Sequence, residues 1–197
     1  MKRFRPIVLL ITTAMFCCSS VLAEKLKYEV LLFGKKIGET TVEVRDSAGG
    51  KYYKLRSNTQ VKMLFVDKRS SMSTDVVFHK DGTLASSFFK NVKEDGIILT
   101  QAVSENTKVQ VSKNGEKSTI PNPINYTSVL MYFAEPSNMR RVFSERLGVF
   151  FDLSKMSDGR YFAEMTGGSA VYTYKNGKLS ELEMKSTLGS VYMRLVN

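Results

Sequence analysis

The chain has 197 residues, of which 29 are basic and 19 acidic, and its formal net charge at neutral pH is +10. It contains a single histidine, His79, and only two cysteines, the adjacent pair Cys17 and Cys18. This inventory excludes a histidine-rich zinc site and a disulfide framework. The basic residues are spread along the chain rather than clustered, so we expect no nucleic-acid partner.

Residues 1–23 have the pattern of a secretory signal peptide: a basic start, an apolar run from Ile7 to Phe16, and the small residue Ala23 at the expected cut. The run of ten residues is too short for a membrane span, which takes about 20 residues. We therefore expect cleavage near Ala23, a periplasmic or secreted protein, and no transmembrane segment in the mature chain. Lipid attachment at Cys17 or Cys18 is the less favoured alternative, because bulky Phe16 precedes them.

Cleavage would leave residues 24–197, which carry a net charge of +7 because the leader holds three of the basic residues and none of the acidic ones. A chain of this length fits one domain of about 100–200 residues, and we expect a single β-rich domain. The positive charge serves solubility, and it also suits an anionic envelope component such as lipid headgroups as a partner.

Alternation of apolar and polar residues dominates the mature chain. Leu26, Tyr28 and Val30 fall on one face of a first strand, and a second strand follows from Ile37 to Arg45. The same alternation, divided by turn sequences such as Asn176-Gly177, continues to Leu195 and predicts about a dozen strands.

The alternation breaks once, after Ile124. Apolar residues recur there at helical spacing until Pro136, namely Tyr126, Val129, Leu130 and Phe133. The spacing predicts a helix over 124–135 with Asn125 as its N-cap, and a second, shorter helix over 137–146.

A succession of this many strands predicts a mainly β fold built on one large, curved antiparallel sheet, either a half-barrel or an open barrel. The late helical segment would lie on the concave face of that sheet or close its mouth.

No pattern in the mature chain marks a catalytic site. His79 falls on the polar side of a strand next to a turn, where a solvated edge residue is typical. We expect no catalytic residue, no metal site, no cofactor and no enzymatic activity. A hydrolase with two carboxylates about 5 to 10 Å apart is an alternative whose candidate residues are not distinguished by any motif: Asp75, Glu94, Asp95, Glu105, Glu164, Glu181 and Glu183.

The chain is rich in adaptable apolar side chains, with 12 Phe, 9 Tyr and 10 Met and no Trp. Such residues form walls suited to an acyl chain, and they also fill ordinary cores. We predict a ligand site with Tyr126, Leu130 and Phe133 as its lid and with Arg140 and Arg141 near its rim. Arg140, Arg141 and Arg146 could meet an anionic headgroup. The alternative is a corner of the chain locked by ion pairs, in which Glu145 neutralises one of these arginines.

Four motifs resemble an uncharacterised family of exported bacterial β-rich proteins of unknown function. They cover nearly the whole mature chain: Tyr28-x-Val30-x-x-x-Gly34-x-x-Ile37-Gly38, Met131-Tyr132-Phe133-x-Glu135-Pro136, Val142-Phe143-Ser144-Glu145-Arg146-x-Gly148 and Tyr172-x-Tyr174-x-Asn176-Gly177. The resemblance carries no assigned activity or site. The expected architecture is also loosely similar to that of periplasmic lipoprotein carriers, which move hydrophobic cargo without catalysis, although those carriers have several helices.

The leading hypothesis is a non-enzymatic bacterial envelope protein that binds an acyl chain, a lipid or an apolar segment of another protein. The alternative is an interaction or assembly module that docks on an envelope protein and has a fully packed sheet without a ligand cavity.

Overall fold

The computed structural model describes residues 23–63, 66–165, 167–186 and 189–196. Residues 1–22, which hold most of the predicted signal peptide together with Cys17 and Cys18, lie outside the described residues. The described part forms a single antiparallel sheet of fourteen strands. The predicted mainly β fold with one large, curved antiparallel sheet is confirmed, and the sheet is an open one.

The first eight strands are β1 (Glu24–Leu32), β2 (Lys35–Ser47), β3 (Gly50–Met63), β4 (Val66–His79), β5 (Leu84–Lys93), β6 (Gly96–Glu105), β7 (Lys108–Lys113) and β8 (Glu116–Pro121). The last six are β9 (Arg141–Ser144), β10 (Val149–Ser157), β11 (Arg160–Met165), β12 (Gly168–Lys175), β13 (Lys178–Ser186) and β14 (Gly189–Val196). A 3-10 helix of three residues, Leu130–Tyr132, lies between β8 and β9.

The sheet consists of two meanders joined at its centre. Its spatial order is β8-β7-β6-β5-β4-β3-β2-β1-β14-β13-β12-β11-β10-β9, so that the first and last strands of the chain are neighbours. Tyr28 of β1 lies opposite Leu195 of β14. Strands β8 and β9 follow one another in sequence and yet form the two opposite edges. The chain between them must therefore cross the whole sheet.

The alternation predicted from the sequence sets which face of each strand is buried. Leu26, Tyr28 and Val30 of β1 are buried, and so are Val76 and Phe78 of β4. Because successive side chains of a strand point to opposite faces, these residues all lie on the concave side of the sheet. They join a continuous core that extends over both meanders.

The sheet curls until its far parts touch. The hydroxyl of Thr100 on β6 donates a hydrogen bond of 2.9 Å to the backbone oxygen of Arg146, in the turn between β9 and β10. In the same turn, a Cβ on Gly148 would lie only 2.7 Å from a side-chain carbon of Val111 on β7. The β9–β10 turn therefore closes the curved sheet by packing on β6 and β7, while the two edge strands remain unpaired with each other.

The predicted helix over 124–135 is wrong. The segment forms only the short 3-10 helix, and Asn125 does not cap it. The physical reason is that the backbone pairs with the sheet instead, since the oxygen of Tyr126 and the N–H of Ser128 both bond to Phe143 of β9. These bonds leave too few backbone groups for an α-helix between Pro123 and Pro136.

The second predicted helix, over 137–146, is also wrong. Its residues contain strand β9, in which Val142 and Phe143 lie opposite Phe151 and Phe150 of β10. β-Branched and aromatic side chains favour a strand, and pairing with β10 decides the outcome.

Gly38 marks a place where two strands approach too closely for a side chain. A Cβ on Gly38 would lie 2.1 Å from the backbone oxygen of Asn58 on β3. We predict that Gly38→Ala lowers the free energy of unfolding by about 1–3 kcal/mol, the usual cost of overpacking. Gly49→Ala is the matched control, because a Cβ there meets no atom within 4 Å, and its effect should stay below about 0.5 kcal/mol. Urea unfolding measures both, and equal stabilities of the two variants would contradict the close approach.

Candidate functional site

The chain from residue 122 to residue 140, here called the crossing segment, connects the two edges of the sheet. At its start the N–H of Leu84 on β5 donates a 2.8 Å hydrogen bond to the backbone oxygen of Ile124. Further along, the backbone N–H of Ser128 donates a 2.9 Å hydrogen bond to the backbone oxygen of Phe143. Ile124, Val129 and Met131 are buried, so the segment lies inside the curve of the sheet and contributes to its core.

Tyrosines of the sheet hold the crossing segment from several sides. The hydroxyl of Tyr174 donates a 2.9 Å hydrogen bond to the backbone oxygen of Met131. The rings of Tyr28 and Tyr132 pack edge to face with centroids 5.4 Å apart. Tyr161 donates a 2.8 Å hydrogen bond to Glu135; burial and that carboxylate raise its pKa to about 12. Tyr161 therefore stays protonated and able to donate across the physiological pH range.

Glu145, in the β9–β10 turn, is a buried carboxylate with 2% exposure. It accepts hydrogen bonds from the hydroxyl of Ser128 and, at 3.1 Å, from the N–H of Val129. Burial raises the pKa of Glu145, and the hydrogen bonds from the crossing segment oppose that rise. No basic side chain of the described residues forms an ion pair with it. Glu145 thus fastens the crossing segment to the turn that closes the sheet.

The crossing segment leaves part of the concave face uncovered, and a cavity of about 410 Å³ lies there. Four methionines line it: Met72, Met165, Met184 and Met193. Four aromatic residues join them: Phe89, Phe151, Tyr132 and Tyr172. Because methionine has three rotatable bonds and a polarizable sulfur, such a wall adapts to ligands of different shape.

The polar part of the cavity wall is small and of one kind. Hydroxyl groups come from both the sheet and the crossing segment: Ser57, Thr59, Ser70, Thr74, Ser128, Ser144 and the phenols of Tyr132 and Tyr172. Arg146 is the one charged residue of the described lining. The cavity is therefore mainly apolar, with scattered hydroxyls and a single positive side chain.

The cavity extends toward the end of the sheet that lies opposite the crossing segment. Its lining includes Ile37 and Val61, which lie next to the turns after β1 and β3. Two surface grooves at this end also include Ile37 in their walls. We call this end, defined by Ile37, Thr59, Val61 and Ser70, the mouth of the cavity.

The three residues predicted as a lid lie on the crossing segment but do not line the cavity. Tyr126 donates a 2.8 Å hydrogen bond to the backbone oxygen of Ala134. Leu130 lines a separate groove near His79, and the ring of Phe133 packs on Tyr53 with centroids 5.7 Å apart. Helical spacing selected this face of the segment, and the segment is not a helix.

The residues of the crossing segment that do line the cavity are Ser128, Val129 and Tyr132. No sequence pattern distinguished Ser128, and Tyr132 belonged to a family motif that carried no site. Val129 was part of the predicted helix without a role at the site.

The predicted rim arginines also lie away from the cavity lining. Arg140 is exposed, and its backbone oxygen accepts a 2.8 Å hydrogen bond from Leu153. Arg141 is 3.7 Å from Asp152 and stacks over the ring of Phe150 at 4.8 Å. Of the three arginines that could meet an anionic headgroup, the exposed Arg146 is the one in the described cavity lining.

The described residues bring together no cluster of three or more metal-ligating side chains. His79 is exposed beside the β4–β5 turn. In the described lining of the cavity there is no carboxylate. Glu24 and Glu43 share a surface groove, but they pair with Lys178 and Lys25, respectively. Among the described residues, no helix has the length and apolar character that a membrane crossing needs.

The fold places the chain in a known structural class. It is similar to a crystal structure described as a beta-barrel-like protein of domain of unknown function DUF1849 from Brucella abortus, with a TM-score of 0.58 and 14% sequence identity. The match covers 90% of this chain and 96% of that one. More specifically, residues 28–196 match the model of the family Domain of unknown function (DUF6134), and the chain belongs to this family. The predicted resemblance to an uncharacterised β-rich family is confirmed. No curated protein matches the chain.

The buried carboxyl of Glu145 makes the stability of the fold depend on pH. Its pKa in the folded chain lies above the ordinary value of 4.5, so its contribution to stability is present below that value and is lost as pH rises through the folded pKa. The loss is about 1.4 kcal/mol for each unit by which the pKa is raised.

We predict that Glu145→Gln, which keeps a polar side chain without charge, gains stability relative to the wild type as pH rises from 4.5 to 8. Urea unfolding across this range gives the difference. Glu105→Gln, at an exposed carboxylate, is the control and should follow the wild type. Parallel curves for Glu145→Gln and the wild type would contradict the prediction.

Proposed function

We propose that the chain is a non-enzymatic binding protein that holds a hydrophobic ligand, an acyl chain or a lipid, in the methionine-lined cavity. The observation that carries the proposal is the cavity itself. Its volume of about 410 Å³ falls within the range of about 300–1,000 Å³ that ligand pockets occupy. Its apolar wall with a few hydroxyls and one charge matches the usual composition of such pockets.

The cavity favours a ligand over a purely structural interior. Protein cores pack densely and contain few voids larger than a water molecule. The alternative of an assembly module rests on a fully packed sheet, and a void of this size does not suit that premise. An apolar segment of another protein is the second kind of occupant that the wall would accept.

The absence of acidic side chains from the described lining gives no support to a hydrolase that uses two carboxylates there. Binding without chemistry is the simpler use of such a wall. The proposal includes export of the protein, which the first 23 residues predict. A carrier keeps hydrophobic cargo out of contact with water in an aqueous compartment outside the cytoplasm. The loose similarity to lipoprotein carriers is a likeness of architecture, which does not fix a function.

Filling the cavity tests the proposal. We predict that Met184→Trp weakens binding of the uncharged apolar dye N-phenylnaphthylamine at least about tenfold, because the larger indole takes up space in the cavity. Met156→Trp introduces the same side chain at a position on β10 that is 54% exposed, and it should bind the dye as the wild type does. Fluorescence titration measures binding, and thermal unfolding checks that both variants are folded. Equal affinities for both variants, or no binding by the wild type, would contradict the proposed function.

A further inference from the structure

We propose that the ligand is a single-chain amphiphile with an anionic head, and that the guanidinium of Arg146 binds this head. The inference rests on the proposed function, because it names the class of ligand that the cavity would hold.

The backbone of Arg146 is fixed, while its side chain has no partner among the described residues. Its backbone oxygen accepts the hydrogen bond from Thr100, which anchors the β9–β10 turn to β6. The guanidinium forms no ion pair with a carboxylate of the described part of the chain. A guanidinium carries five N–H donors in a planar fork that suits carboxylate and phosphate oxygens. Arg146 is exposed, so its donors face solvent at the edge of the described lining, where an anionic head can meet them while its chain lies in the apolar cavity.

The acidic residue next to Arg146 in sequence does not neutralise it. The carboxylate of Glu145 points into the core, where Ser128 and the N–H of Val129 hold it. The carboxylate of Glu145 therefore binds the crossing segment, while the guanidinium of Arg146 is available to a ligand of the cavity.

The charges around the mouth have the same sign as Arg146. The two grooves that share Ile37 with the cavity contain five basic residues and one acidic residue, namely Lys35, Lys36, Lys62, Arg69, Lys93 and Glu94. Lys36 pairs with Glu29 and Glu39, and Lys62 lies 3.9 Å from Asp67. Lys35, Arg69 and Lys93 form no ion pair with the described residues, so the mouth keeps a positive potential that attracts anions.

The size and lining of the cavity favour one chain with a negative head. A volume of about 410 Å³ lies near the lower end of the range for ligand pockets, about 300–1,000 Å³, which suits one acyl chain better than several. A cationic head would meet Arg146 with like charge and would find no carboxylate in the described lining. A neutral head would leave the exposed guanidinium to water, whereas an anionic head gives it a charged partner.

Three ligands with the same twelve-carbon chain separate the head from the chain: laurate, 1-dodecanol and dodecyltrimethylammonium. Each is titrated below its micelle concentration, at pH 7.5 and low salt, by displacement of N-phenylnaphthylamine. We expect the wild type to bind laurate about tenfold or more tightly than dodecanol, and the cationic ligand more weakly than either, because charge-assisted hydrogen bonds are the stronger kind.

In Arg146→Gln, we expect the affinity for laurate to fall to that for dodecanol, while the affinity for dodecanol stays unchanged. Arg146→Lys should keep part of the preference, since it keeps the charge and loses the fork. Arg140→Gln removes an exposed arginine outside the cavity lining and should behave as the wild type.

Equal binding of laurate and dodecanol by the wild type, or an unchanged preference in Arg146→Gln, would overturn the role of Arg146 and leave the apolar cavity in place. No binding of the dye or of any of the three ligands would instead overturn the proposed function, and the inference with it.

Discussion

The concave face of a fourteen-stranded sheet is larger than the area that one crossing segment can cover. This difference in area determines where the fold is closed and where it leaves a cavity. Strands β8 and β9 lie at opposite edges, so the chain crosses the interior once, between residues 122 and 140. That passage buries Ile124, Val129 and Met131 and closes one end. No further segment of the described residues covers the remaining concave face, and an apolar cavity with a mouth at the other end lies there.

The β9–β10 turn joins closure of the fold to the cavity. Gly148 lets the turn lie against Val111 of β7, and Glu145 ties it to the crossing segment through Ser128 and Val129. Between them, Arg146 is left with its side chain in the cavity wall. The desolvation of Glu145 raises its pKa, so the turn gives up some stability at neutral pH. Within this one turn, Gly148 therefore contributes to the closure of the sheet, Glu145 to the attachment of the crossing segment, and Arg146 to the charge of the described cavity lining.

The strands could be predicted because burial of one face leaves an alternation in the sequence, as Leu26, Tyr28 and Val30 show. Strand β8 lacks this signal, since it is an edge strand with most of its side chains exposed, and exposure removes the alternation. The crossing segment was predicted as a helix because its local spacing fits one, whereas long-range pairing with Phe143 decides its conformation. The predicted lid of Tyr126, Leu130 and Phe133 was chosen from that helical spacing, and these residues do not line the cavity. Arg146 enters the cavity wall through contacts between distant strands, which no local pattern records.

The central claim is that the cavity holds a hydrophobic ligand, and native mass spectrometry of the protein purified from its own host tests it most directly. We expect a population whose mass exceeds that of the polypeptide by the mass of a small amphiphile, which organic extraction then releases and identifies. A single mass equal to that of the polypeptide, with nothing released on extraction, would contradict the account.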